Sequence, residues 1–430
     1  MKTVIMAGGK GSRISKLFPD IPKPLIKINN KPILEWELCN LRDQGFKDII
    51  ITVSYMAEKI QDYFGDGSNF GINIDYFYEK EPIGNAGALF KINNLESDFL
   101  LLNADSLFDV DFNRFVSFHK SHGGLVSLFT HPNSHPYDSG LIIADRCNCV
   151  KSWLTREDIR PEFYKNRVNA GLHIINSKIL DLCSFDKKSV GKKVDGKTFK
   201  VDLDRDILKP LCNTGKLFCY DSPEYVKDMG TPQRFEQVLR DFNNGLVKQK
   251  NLHNKQKAIF LDRDGTINKY VGFLNNINDF ELIDGVAEAI RKINELGYLA
   301  IVVTNQPVIA RGDLTENELQ QIHNKMETLL GNEGAYLDAI YYCPHHPHKG
   351  YFGEVTELKL DCFCRKPKPG MFFKAAQDFN IDLSNSWMIG DSRVDVESGK
   401  AAGCKTALIG NDSCGEDILV KSLIDFINRM

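Results

Sequence analysis

The chain has no apolar run of ~18 residues, the length a helix needs to cross a bilayer, so no membrane span is expected. Its 54 basic side chains are outnumbered by 57 acidic ones, leaving a formal net charge of -3. With no basic excess to neutralise a phosphate backbone, nucleic acid is not the expected partner. The first residues show no basic stretch followed by a long apolar core and a small-residue cleavage site, so no secretory signal is read. Short internal repeats and low-complexity tracts are missing too. Cysteine, by contrast, is well represented at eleven. Without a secretion signal these read as reduced thiols of a cytoplasmic protein, and their spacing points to metal sites rather than disulfides.

What is present is the make-up of a soluble globular protein, 42% hydrophobic and 26% charged. At 430 residues the chain exceeds what one core holds, so two domains are expected. In the first part, "TVIMA", "DIIITVS", "FLLLNAD" and "LVSLFT" read as strands, and "ILEWELCNLRDQGF" and "AEKIQDYFG" as helices. Such alternation predicts an α/β fold with a largely parallel sheet between helices. "PQRFEQVLRDFNNGL" reads as a terminal helix, and "VKQKNLHNKQK" after it is polar and lacks apolar periodicity. The expected division is a first domain at 1–243, a linker at 244–256 and a second domain at 257–430. A linker of that polarity permits independent domain motion. The second domain repeats the alternation with "KAIFLD", "GVAEAIRKINELGY", "LAIVVTN", "SWMIGD" and "KTALIG". It carries a motif at the C-terminal end of its first strand, where open parallel sheets bind ligands.

The first motif is "MAGGKGSR" followed by "PKP". Gly8, Gly9 and Gly11 let backbone approach an anion, and Arg13 and Lys23 add charge where phosphates would sit, with Pro22 and Pro24 stiffening the Lys23 segment. The spacing is neither a Walker loop nor G-x-G-x-x-G. It resembles the sugar-1-phosphate nucleotidylyltransferases, a family with a Rossmann-like fold. "EPIGNAGAL", with Gly84 and Gly87, resembles their base- and ribose-binding turn. "LLNAD" puts Asp105 at the position of a magnesium-binding aspartate, and "VKDMGTP" puts Asp228 at the second. "NAGLHI" matches a sugar-binding strand with Asn169. The resemblance implies that a sugar 1-phosphate attacks the α-phosphorus of a nucleoside triphosphate while Lys23 and Arg13 stabilise the departing pyrophosphate. One departure stands out. The family often carries a Glu-Lys pair before the "NAG" strand, whereas here Arg156, Lys165 or Arg167 could hold the sugar phosphate.

The second motif is "FLDRDGTIN", with Asp262 and Asp264 two apart just after a strand. One carboxylate can attack phosphorus while the other protonates the leaving oxygen. Thr304 ends the strand "IVVTNQ", "RKPKPG" supplies Lys366 or Lys368, and "MIGDSRVDV" ends another strand with Asp391, followed by Asp395. In this order the set resembles the haloacid dehalogenase-type phosphatases, with their Rossmannoid fold. The resemblance makes Asp262 the nucleophile and Asp264 the general acid and base. Thr304 and the lysine hold phosphoryl oxygens, and Asp262, Asp264 and Asp391 surround a magnesium ion. Cys343 and His345, then Cys362 and Cys364, have the make-up of a closed tetrahedral zinc site, with His346 and His348 as spare ligands. Cys147 and Cys149 lack a paired half and read as ordinary thiols.

A zinc loop ending in "CRKPKPG", with "DRDGTIN" and "TNQ…IARG", is similar to the heptose bisphosphate phosphatases that release the 7-phosphate of D-glycero-D-manno-heptose 1,7-bisphosphate. That branch selects Lys366 and sets Arg311 and Arg365 beside the sugar. Pro307 and Val308 depart from its usual small residues. The first half most resembles mannose-1-phosphate and heptose-1-phosphate guanylyltransferases, which implies GTP and a GDP-heptose for bacterial surface polysaccharide. Two alternatives stand beside this. One is a histidinol-phosphate or other small phosphomonoester phosphatase fused to a mannose-1-phosphate-type guanylyltransferase. The other is a degenerate sugar-nucleotide sensor. The expected partners are therefore small molecules, the expected cofactors Mg2+ and structural Zn2+, and oligomerisation is left open.

Overall fold

In the computed structural model, which describes residues 1–430 except 10–12, 15, 16, 94, 156, 195 and 351, the apolar runs of the first half become parallel strands. β1 (Thr3–Met6), β2 (Asp48–Val53), β3 (Asn73–Tyr78) and β4 (Asp98–Asn103) lie in the order β3-β2-β1-β4. Thr3 of β1 faces Ile49 on one side and Leu100 on the other. A strand paired on both edges and covered on both faces must be apolar throughout, which is why "IIITV" and "FLLL" show no alternation. The helix Ile33–Asp43 contributes Leu34, Leu38 and Leu41 at helical spacing to the core on one face. The long strand Val168–Asn176 runs antiparallel to β4, Leu172 opposite Leu102. A separate ladder pairs Tyr225–Asp228 with Ser106–Asp109 and puts Asp228 opposite Ser106.

The second half builds a six-stranded, all-parallel sheet from β5 (Ala258–Leu261), β6 (Leu299–Asn305), β7 (Ala339–Cys343), β8 (Trp387–Gly390), β9 (Lys405–Ile409) and β10 (Ile418–Val420), in the order β7-β6-β5-β8-β9-β10. In both sheets the strand order reverses beside the first strand, between β1 and β4 and between β5 and β8. Loops that leave adjacent strand ends in opposite directions open a crevice there.

The chain divides into two compact units. One holds Met1–Thr130, Ile142–Trp153 and Asn169–Asn251; the other holds Leu252–Met430 together with two excursions of the first half, His131–Leu141 and Leu154–Val168. The second excursion is fixed to the helix Glu316–Asn332 by hydrogen bonds, and the Asn133 amide of the first donates to Asn166 Oδ1 of the second at 3.1 Å. The Tyr164 amide donates to Thr328 Oγ1 at 2.9 Å and the Asn166 amide to Glu327 Oε2 at 2.8 Å. Residues 244–256, polar in sequence, include a helical turn at Leu246–Gln249 and bury Val247 and Leu252. No helix among the described residues is long and apolar enough to cross a membrane.

The helix Glu316–Asn332 begins with a capping box: Thr315 Oγ1 accepts the Glu318 amide at 3.3 Å and Glu318 Oε2 accepts the Thr315 amide at 2.7 Å. Thr315→Ala is expected to cost about 1 kcal/mol, read as a lowered urea midpoint for unfolding of the second unit.

Candidate active sites

In the first unit, the ends of β1, β2, β3 and β4 surround a cavity of about 690 Å3. Gly8 and Gly9, which follow β1, line it together with Lys23, Asp105 and Gly84. Lys23 Nζ donates to Asp105 Oδ2. The ladder that places Asp228 opposite Ser106 also brings the Met229 amide to the Asp105 carbonyl at 3.0 Å. Asp228 is fixed by Arg234 Nη1 at 2.6 Å and the Gly230 amide at 2.9 Å. Burial pushes the Asp228 pKa up, but the hydrogen bond and charge of Arg234 outweigh it and hold the group below its ordinary value. A Cβ on Gly230 would stand 2.8 Å from Asp228 Oδ1, 3.5 Å from Arg13 Nη2 and 3.8 Å from Lys23 Nζ. Four of the sequence-predicted groups, Arg13, Lys23, Asp105 and Asp228, therefore gather here. Two carboxylates with only lysine and arginine as counter-charges form an oxygen donor pair suited to Mg2+.

The "EPIGNAGAL" turn is pinned from the other side. Gly84 has a φ of +88°, and a Cβ there would run into the Val201 carbonyl. The Ala86 amide donates to that same carbonyl at 3.1 Å. Gly87 opens the turn Gly87–Phe90, and a Cβ there would meet Ile83 at 2.8 Å. Asn169 Oδ1 accepts the Gly171 amide at 3.2 Å and lies 3.2 Å from His173 Nε2, so its amide nitrogen is the end left for a ligand. Glu79, at the end of β3, is half-buried in the cavity wall. Gly11 and the clamp candidate Arg156 lie outside the described residues; Lys165 and Arg167 belong to the second unit.

In the second unit, Asp262 and Asp391 follow β5 and β8, the two strands at the reversal of order. Together with Asp395 they can bring carboxylate oxygens within 4.8 Å of one another. Lys366 Nζ donates to Asp262 Oδ1 at 2.8 Å and to Asp395 Oδ1 at 2.5 Å. Three carboxylates against one ammonium leave an excess of two negative charges. Burial accordingly raises the Asp262 pKa to about 7, Lys366 pulling the other way. Burial and the Asp395 charge raise Asp391 to about 6. Burial also opposes the Lys366 charge, yet its two carboxylates more than offset that and its pKa is raised. A divalent cation among these oxygens would balance the charge, so the donor set fits Mg2+.

Asp264 stands apart from that group. Its carboxylate accepts from Arg263 Nη2 at 2.8 Å, Gln306 Nε2 at 2.9 Å and Asn268 Nδ2 at 3.1 Å. As a metal ligand through its carboxylate it is not assembled with Asp262 and Asp391, because these three donors turn it aside. Thr304 is buried and accepts from Gln306 Nε2 at 2.9 Å. Asn305 fixes the lysine loop by bonding both the amide and the carbonyl of Lys366 at 3.0 Å. Lys368 instead pairs with Asp361 on the surface. Arg311 bonds Asp313 and lies 4.2 Å from the Phe273 ring centroid. Arg365 Nη1 donates to the His345 carbonyl at 3.0 Å.

Cys343, His345, Cys362 and Cys364 converge, with Sγ and Nδ1 atoms 3.2–3.6 Å apart. These four soft donors suit a tetrahedral ion. His346 and His348 are not in the cluster. Arg234, Gln306 and Arg263 escaped the sequence reading as site residues. Gln306 had a signal, standing two residues after Thr304 at a strand end. Arg234 had none, since its partner Asp228 is reached only when the following helix begins.

Residues 2–245 match the family described as Nucleotidyl transferase, and residues 363–424 match the HAD-hydrolase-like family. A D-glycero-beta-D-manno-heptose-1,7-bisphosphate 7-phosphatase of Haemophilus ducreyi is 41% identical over 181 residues, 40% of this chain and 97% of that protein. One from Escherichia coli O6:H1 is 45% identical over 152 residues, 35% of this chain and 78% of that protein. The crystal structure of HddC from Yersinia pseudotuberculosis is 25% identical, covers 56% of this chain and 99% of its own, and has a TM-score of 0.46.

Gly265 has a φ of +80°, and a Cβ there would collide with the Asp391 carboxylate. Gly265→Ala is expected to abolish hydrolysis of a phosphomonoester while leaving activity of the first unit intact, checked by assaying both on one preparation.

Proposed function

Because the chain belongs to the nucleotidyl transferase family through residues 2–245 and to the D-glycero-beta-D-manno-heptose-1,7-bisphosphate 7-phosphatases through relatives spanning 40% of its length, we propose that it performs two successive reactions. The second unit removes the 7-phosphate of the bisphosphate. The first unit then joins the remaining sugar 1-phosphate to a nucleoside monophosphate. The observation that carries this reading is the pairing of the two families on one chain, since hydrolysis at the 7-position leaves the 1-phosphate that the transfer consumes. Relatives 41% and 45% identical that act on the heptose bisphosphate disfavour the histidinol-phosphate alternative.

In the phosphatase, an Asp262 oxygen attacks phosphorus, the bond from phosphorus to the sugar O7 breaks, and Asp264 gives that oxygen a proton. Asp264 then takes a proton from water, which attacks the aspartyl-phosphate, releasing phosphate and restoring Asp262. Lys366 and Thr304 hold the phosphoryl oxygens, and Arg365 and Arg311 orient the sugar. Mg2+ held by Asp262 and Asp391 would screen the approach of carboxylate to phosphate. In the transferase, an oxygen of the sugar 1-phosphate attacks the α-phosphorus and the α–β bond breaks to release pyrophosphate. Gly8, Gly9, Lys23 and Arg13 hold the triphosphate, Gly84 and Gly87 border the nucleoside, and Asn169 donates to the sugar. Mg2+ held by Asp105 and Asp228 would lower the repulsion between the two anions.

GTP is the proposed donor and a GDP-heptose for surface polysaccharide the product. The cysteine cluster takes structural Zn2+, and a cytoplasmic location accords with eleven cysteines none of which is in a disulfide. The test is product analysis by mass spectrometry after feeding the bisphosphate, Mg2+ and a mixture of nucleoside triphosphates. Phosphate and pyrophosphate should both appear with one nucleotide-heptose; phosphate without transfer from any triphosphate overturns the coupled reading. Fed the bisphosphate, Asp262→Asn should lose phosphate release and with it pyrophosphate release, the latter restored by supplying heptose 1-phosphate, whereas Asp105→Asn should lose only pyrophosphate release, with losses of at least about a thousandfold each. Cys364→Ser should lower bound zinc below one ion per chain by elemental analysis and shift the melting temperature of the second unit downward.

A further inference from the structure

Arg263 stands between Asp262 and Asp264 in the chain, and its side chain is fully buried. A cation taken out of water needs acceptors for its N–H groups from the protein. Nη2 donates to the two oxygens of Asp264 at 2.9 and 2.8 Å and to Gln306 Oε1 at 2.9 Å, and Nε donates to Asp264 Oδ1 at 3.2 Å. The remaining nitrogen, Nη1, meets His323 Nε2 at 3.4 Å. A guanidinium only donates, so Nε2 is the acceptor and the ring proton belongs on Nδ1. Burial of His323, and after it the Arg263 charge, lowers the imidazole pKa well below its ordinary value, which keeps that lone pair available. The support under the ring is firm. Its helix, Glu316–Asn332, is capped at Thr315, Lys325 Nζ holds the Ile277 carbonyl at 2.8 Å, and Thr328 Oγ1 donates to the Tyr164 carbonyl at 3.1 Å.

On the phosphatase reading above, we propose that His323 is a positioning residue for Asp264, acting through Arg263. The guanidinium is a hub. It holds Asp264 directly and fixes Gln306, whose Nε2 donates to Asp264 Oδ2 and to Thr304 Oγ1 at 2.9 Å each. A planar fork bonded along one edge can pivot on that edge, and an acceptor at the far nitrogen stops it. His323 thereby sets where the carboxyl that protonates the sugar O7 stands. A sugar phosphate needs that proton, because an alkoxide is a poor leaving group. An aryl ester such as p-nitrophenyl phosphate releases its phenolate without one. A carboxyl displaced from its place therefore costs the first reaction and spares the bond cleavage of the second.

The full-length protein is assayed for phosphate release from the heptose bisphosphate and for the first-turnover release of p-nitrophenolate from p-nitrophenyl phosphate. His323→Leu should lose about ten- to a hundredfold in kcat on the bisphosphate with KM held within about threefold, while first-turnover p-nitrophenolate release stays within about threefold of the wild type. His323→Gln, whose Oε1 can take the place of Nε2, should keep most of kcat. His323→Asn, polar but too short to reach Nη1, should fall with His323→Leu. An unchanged kcat in His323→Leu overturns the proposal, as does an equal loss on both substrates, or a His323→Gln variant no better than His323→Asn. If His323→Leu fails to fold, or the wild type does not turn over the aryl ester, kcat of His323→Gln against His323→Asn on the bisphosphate decides. No phosphate release from the bisphosphate by the wild type overturns the phosphatase reading itself.

Discussion

Both sites must bring one anion against another, and each places a lysine on the carboxylate that would otherwise repel the substrate. Lys23 donates to Asp105, and Lys366 bridges Asp262 and Asp395. Coulomb repulsion between unit charges a few ångströms apart amounts to several kcal/mol at the dielectric of a partly buried site, so neither arrangement is optional. In the second unit the lysine alone does not balance three carboxylates. Burial is the main cause of the raised pKa values of Asp262 and Asp391, and the Asp395 charge adds to it in each. The same surplus makes the group a place for a divalent cation.

Positions of these residues follow from topology more than from local sequence. In each unit the first strand sits at the reversal of strand order, and functional loops leave the ends of that strand and of its neighbour across the reversal. The sheets share this plan while their loops differ in length and composition. Small residues then set how tightly the loops close. Gly84 lets the Val201 carbonyl approach, Gly265 lets Asp391 approach, and Gly390 clears space for Asp395, whose carboxylate also caps the helix Arg393–Ala402 through Ser392. A Cβ at any of these would push apart groups that the chemistry needs together.

Strands, sheet class and the strand-end motifs were legible because they depend on neighbours in sequence: an apolar run of five residues followed by a glycine or an aspartate carries both the strand and its exit. The Cys343, His345, Cys362 and Cys364 set was legible because metal ligands come in recognisable pairs. Asp264 was only partly so. Its place two residues after Asp262 is local, but Gln306, which helps aim its carboxylate, comes from another strand. The membership of His131–Leu141 and Leu154–Val168 in the second unit was not legible at all. For Leu154–Val168 it depends on backbone amides bonding side chains more than 160 positions away, and no periodicity records that.

On the proposed reading the phosphatase must tell apart two phosphates on one sugar, and rigidity beside the nucleophile is what such a choice requires. Arg365 and Lys366 are adjacent in sequence yet tied to different things. Lys366 reaches Asp262, while Arg365 is anchored to the carbonyl of His345, itself one of the four metal-site donors. Asn305 clamps the backbone between them through two hydrogen bonds at 3.0 Å. The converged Cys343, His345, Cys362 and Cys364 group at one end and a clamped strand end at the other leave the guanidinium little freedom relative to Asp262. On that reading a sugar oriented by this fixed guanidinium can present only one of its two phosphates to the nucleophile. Regioselectivity then arises from the spacing of two neighbouring side chains, and loosening the cysteine cluster would erode it before it abolished hydrolysis.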